Sequence, residues 1–88
     1  MWTISLVKFR HRPTKADTVA FANLVKAWAS KGVKMHMAFY TLGRYDAVFI
    51  GEGPDEKTAM QFTMALPDVA ATETLVAVQR EEAIKWLK

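Results

Sequence analysis

Apolar and polar positions alternate along Trp2–Arg10, WTISLVKFR, and the run is rich in β-branched and aromatic residues, so it predicts a strand. Pro13 ends it. The period then lengthens: Phe21, Leu24, Val25 and Trp28 fall at i, i+3, i+4 and i+7, one apolar stripe of a helix. Thr14 stands three residues before Asp17, an approximate capping box with Asp in place of Glu or Gln. Gly32, just after Lys31, supplies a stop. Two further strands follow, VKMHMAFYTL and YDAVFIGE. Gly43 in Leu42-Gly43-Arg44-Tyr45 suits the first central position of a two-residue type II′ turn. That turn would pair Leu42 with Tyr45, Tyr40 with Ala47 and Ala38 with Phe49.

Gly53-Pro54-Asp55-Glu56 opens a second helix, with Ala59, Phe62, Thr63 and Leu66 on its less polar side. Pro67-Asp68 breaks it, Thr72–Gln79 reads as a fourth strand, and Arg80–Lys88 as a short terminal helix. The order βαββαβ plus one helix predicts a single α+β domain over residues 1–88. Its pattern is ferredoxin-like, with helices on one face of an antiparallel sheet. Alternation divides the hairpin into two sets. Val33, Met35, Met37, Phe39, Val48 and Ile50 are expected under the helices. Lys34, His36, Ala38, Tyr40, Leu42, Tyr45, Ala47 and Phe49 are expected on the open face. That second set is half aromatic or aliphatic, where a solvated face would be mostly polar. Sheet-to-sheet packing of two copies, a ligand, or both would cover it.

Composition narrows the class. The chain has 88 residues, of which 51% are hydrophobic and 24% charged, with 12 Lys and Arg against 9 Asp and Glu for a net charge of +3. This is the balance of a folded soluble chain and excludes a disordered tail. Cysteine is absent, which removes disulfides, thiolate zinc sites and a cysteine nucleophile. No run approaches the ~20 apolar residues of a bilayer span. The alternating N-terminus does not read as a signal peptide, so the expected compartment is the cytoplasm and no membrane partner is expected.

The run LGRYDAVFIGEGPDEKTAMQF followed by TETL, together with ISLVKF at the start, resembles the GYD domain family. The most specific matches are Leu42-Gly43, Tyr45-Asp46, Pro54-Asp55 and Thr72-Glu73-Thr74. The resemblance covers nearly the whole chain and implies a dimeric α/β-barrel, two ferredoxin-like sheets face to face. More loosely, the same stretch is similar to the effector-binding domain of leucine-responsive (Lrp/AsnC) regulators. In those regulators the Gly-x-Tyr-Asp turn contributes to an amino-acid site between subunits. That similarity points to Gly43, Tyr45, Asp46, Thr72 and Thr74. The helix-turn-helix that those regulators place in front is missing here.

The candidate ligand-binding residues are His36, Tyr40, Gly43, Tyr45, Asp46 and Thr74, expected in a cleft between subunits of a homo-oligomer. Each has a plainer reading. Gly43 meets a turn requirement, Tyr45 is an interface aromatic, and Asp46 satisfies backbone N–H groups beside the turn. His36 is then a hydrogen-bonded interface residue. The alternative is an enzyme of the monooxygenase or isomerase kind, working without a heavy cofactor, with His36 or Glu73 as base. Two histidines in different segments make no metal pattern, and no cofactor is expected. Lys8, Arg10, His11, Arg12 and Lys15 form the basic cluster. Five bases in a solvated loop fit an ordinary charged surface better than a nucleic-acid groove, which would need open aromatic platforms.

Overall fold

The computed structural model describes residues 1–87. Strands β1 (Trp2–Phe9), β2 (Lys34–Tyr40), β3 (Ala47–Glu52) and β4 (Ala70–Ala77) are joined by helices α1 (Lys15–Ala29) and α2 (Glu56–Met64). A helical turn, α3 (Arg80–Ala83), and a 3-10 turn (Ile84–Trp86) follow β4. The sheet order is β2-β3-β1-β4 and every neighbouring pair is antiparallel, so β2 and β4 are the edges. This is an α+β architecture consistent with the ferredoxin-like split β-α-β pattern.

The helices begin where local chemistry directs. The Asp17 amide donates to Thr14 Oγ1 at 3.1 Å and the Thr14 amide donates back to Asp17 Oδ2 at 2.8 Å, closing the expected capping box. The Val33 amide reaches the Trp28 carbonyl and the Gly32 amide reaches that of Ala29, the paired bonds of a Schellman stop, with Gly32 at φ +88°. Asp55 caps α2 by accepting the Thr58 amide at 2.8 Å. The two predicted stripes are the half-buried sides of α1 and α2, and Trp28 meets Phe62 edge-on between them.

The hairpin register holds for Ala38 with Phe49 and Tyr40 with Ala47, but the faces are exchanged from Met37 to Tyr40 and from Ala47 to Ile50, while Met35 keeps its expected place under the helices and His36 and Tyr45 theirs on the free side. Ala47 is fully buried and Phe49 stacks on Phe21 of α1 at 4.8 Å, so Ala38, Tyr40, Ala47 and Phe49 lie on the helix side. Val48, Ile50, Met37 and Phe39 lie on the free side. The expectation that the Tyr40–Phe49 set forms the open surface is therefore corrected. Two causes combine. Both faces are apolar, so alternation alone does not say which is inside. A bulge also sits between Met35 and Met37: Met35 pairs with Gly51 and Met37 with Ile50. Residues two apart thus point to opposite faces across it.

The connection after β2 is longer than the expected two-residue II′ turn. The Thr41 amide donates to the Asp46 carbonyl and the Thr41 hydroxyl to that of Tyr45, while the Asp46 amide turns to the Val7 carbonyl of β1. Pairing with β1 thus takes the Asp46 amide. Gly43 has the expected positive φ, +119°, at the loop tip. Strand β4 starts two residues earlier than predicted, because the Ala70 amide turns back to Pro67 and the Arg10 amide anchors Val69. The terminal helix is one short α turn and a 3-10 turn; Lys88 lies outside the described residues.

Burial is sparse. Among the described residues Val7, Ala47 and Val69 are the buried hydrophobic side chains. The Cα extents are 49 × 33 × 17 Å, a slab one sheet and one helix layer thick. No helix among the described residues is long and apolar enough to cross a membrane.

Candidate functional site

Alternation in β1 sends Trp2, Ile4, Leu6 and Lys8 to the helix-free face, opposite Thr3, Ser5 and Val7. Ile50, Val48, Met37, Phe39 and Leu75 join the former, giving a continuous apolar band. Met37 and Phe39 are each 53% exposed. A polar pair flanks the band at each end. At one, His36 Nε2 lies 2.9 Å from Glu52 Oε1, and the imidazole stacks on Trp2 with centroids 4.7 Å apart. At the other, the Tyr45 hydroxyl donates to Glu73 Oε2 at 2.9 Å. That hydrogen bond is the main reason the Tyr45 phenol is held above its ordinary value, with desolvation adding to it. The Arg44 guanidinium lies 5.6 Å from the Tyr45 ring, and Lys8 Nζ donates to the Arg44 carbonyl.

Chemically, the face can bury apolar surface and offer two carboxylates, each already oriented by a neighbour. An imidazole–carboxylate pair can pass a proton, and a phenol donating to a carboxylate can hold a polar substituent. Among the described residues no cluster of three or more His, Asp or Glu is placed to hold a metal ion.

The six residues expected in one cleft occupy three places. His36 and Tyr45 are on the helix-free face, at opposite ends of the band. Tyr40 lies on the other side of the sheet, beside Phe9 with centroids 6.1 Å apart, at the rim of a cavity beneath α1. Thr74 is also on the helix side, its hydroxyl 3.2 Å from that of Ser5. Gly43 stands in open space at the loop tip. Asp46 accepts the Phe9 amide at 2.8 Å, extending the join between β1 and the loop. That is the plainer of its two readings, a carboxylate serving backbone N–H groups.

Sequence reasoning missed Trp2 and Glu52 as neighbours of His36. Trp2 faces Glu52 across β1 and β3, but the bulge brings His36 to the same spot, and a count from the turn with regular pairing does not. The basic cluster is partly engaged in structure: Arg10 bridges Asp68 at 2.9 Å and donates to the Asp68 carbonyl, tying β1 to the loop before β4.

No curated protein matches the chain. The family model of the GYD domain matches residues 7–87, from the middle of β1 through the terminal turns. With nearly the whole chain so matched, the protein belongs to the GYD domain family.

Proposed function

We propose that the chain is a self-associating ligand-binding domain. Two copies pack helix-free face to helix-free face as a dimeric α/β-barrel, and a small molecule sits in the cleft between them. The carrying observation is the bare apolar band. The chain exposes 6506 Å². A compact 9.9 kDa chain would expose about 5,200 Å². The difference, roughly 1,300 Å², exceeds the ~800 Å² per partner that a standard interface removes from water. Its radius of gyration, 13.9 Å, is likewise larger than the roughly 12 Å of a compact chain this long. His36–Glu52 and Tyr45–Glu73 flank the band, so they would line the cleft from each subunit. The cytoplasm is the compartment proposed for it.

Light scattering and native mass spectrometry test this reading. The expected mass at about 10 μM is twice that of the chain, and Ile50→Lys is expected to give a folded monomer, because a charge opposite its own copy is costly. A monomer for the unaltered protein at that concentration overturns the reading. The second reading, an enzyme, is favoured by the His36–Glu52 pair at 2.9 Å. In that case His36→Asn abolishes turnover while leaving the dimer and its retained ligand in place.

A further inference from the structure

A concave site lies on the other side of the sheet, and one chain alone supplies its lining. Between α1, the loop before β4 and the sheet is a cavity of about 220 Å³. Four aromatic rings stand on its wall: Phe9, Phe21, Tyr40 and Phe49. Phe21 stacks on Phe49 at 4.8 Å, and Phe9 is tilted toward the largely exposed ring of Tyr40 at 6.1 Å. An engineered cavity of ~150 Å³ lined by apolar side chains takes up benzene, so this one has room for a ring with a short side arm.

The wall also carries a charge of one sign. Asp17, in the first turn of α1, is the only residue of the lining ionised at neutral pH. Its Oδ2 accepts the Thr14 amide, and among the described residues nothing donates to Oδ1. The hydrogen bond from the Thr14 backbone is the leading cause that holds this carboxyl below its ordinary value. Aromatic faces attract cations through their negative quadrupole, and a carboxylate at the rim adds to that attraction. An anion would meet both features unfavourably.

We infer that the cavity between α1 and the sheet binds a small aromatic amine. Its ring lies among Phe9, Phe21 and Phe49 and its ammonium is directed to Asp17 beside Tyr40. Ring burial supplies most of the binding, and the charge supplies the choice among rings of equal size.

Three probes of nearly equal shape separate these contributions: 2-phenylethylamine, 2-phenylethanol and 3-phenylpropionate. Each is titrated into the unaltered protein and followed by backbone amide NMR shifts. The expected result is saturable shifts at Phe21 and Phe49, with the amine about fivefold tighter than the alcohol, and the acid weakest. Asp17→Asn is expected to erase most of the amine's advantage over the alcohol. Ala38→Phe places a ring in the cavity from the strand side and is expected to abolish binding of all three, with the far-UV spectrum unchanged. Equal or tighter binding of the acid overturns the inference, as does the absence of saturable shifts at Phe21 and Phe49, or undiminished binding to a folded Ala38→Phe protein. The probe series on the unaltered protein decides the matter even if a variant fails to fold.

Discussion

The two faces of this sheet differ by a single helix layer. On the covered side, Val7 is 1% exposed and Ala47 not at all, and Phe49 stacks on Phe21. On the bare side, side chains as apolar as these stand open: Met37 and Phe39 at 53%, Leu75 at 43%. Residue type alone does not separate the faces. The covered side contains Thr3, Ser5, Thr72 and Thr74, while the bare one has Ile4, Leu6, Val48 and Ile50. The crossover helices decide which becomes the core, and the other is left bare within the chain. A chain of this size has little core to spare. The difference teaches that burial within the chain follows connectivity here and not apolar character alone.

The largest expected effect breaks the covered face. Phe49→Ala removes a ring held beneath α1, and the loss in urea unfolding is expected to be about 3 kcal/mol. The matched change Phe39→Ala on the bare face is expected to lose less than about 1 kcal/mol, measured where each variant runs as a monomer. Equal losses would remove the distinction between the faces.

Next is the join between β3 and β2. A Cβ on Gly51 would stand 2.7 Å from the Lys34 carbonyl oxygen, backbone that cannot swing aside. Gly51→Ala is expected to cost about 2 kcal/mol and to shift the amide resonances of Lys34 to Met37. The helix cap is smaller: Thr14→Ala is expected to lose about 1 kcal/mol.

The smallest effects are those of pH. Asp17 and Asp55 are held below their ordinary values, chiefly by hydrogen bonds from the backbone of Thr14 and of Thr58. Their contribution is complete above the unfolded value near 4 and is lost as pH falls through the lower folded values. The phenol of Tyr45 is raised, so its contribution is complete below the unfolded value near 10 and is lost as pH climbs through the folded one. A thermal midpoint that is level across mid-range and falls at both ends is expected. Glu73→Gln is expected to flatten only the alkaline fall.

Much of this could be read from the chain. Thr14 and Asp17, Gly32, and the stripes through Phe21–Trp28 and Ala59–Leu66 are local signals with local causes, and each stands where its spacing placed it. The predicted register of Ala38 and Tyr40 rests on a two-residue turn that the chain does not form; it holds because the longer loop closes about the same centre, with Thr41 opposite Asp46. The assignment of faces was not legible, since Phe39 and Phe49 are equally good core residues and only the path of α1 chooses between them. Nor was the bulge at His36, which leaves no mark in the alternation. Of the candidate site, His36 and Tyr45 could be picked by chemistry. Their partners could not: Glu52 depends on the bulge, and Glu73 lies 28 positions from Tyr45 with β1 between their strands.

That same irregularity in β2 bears on what the edge of the sheet can accept. A straight outermost strand is a template on which further chains add side by side without limit. A kinked one, with one residue out of step, spoils the ladder for any newcomer. Side-by-side addition at β2 is thereby discouraged, whereas β4, the other edge, runs in regular register along its whole length and carries no such guard.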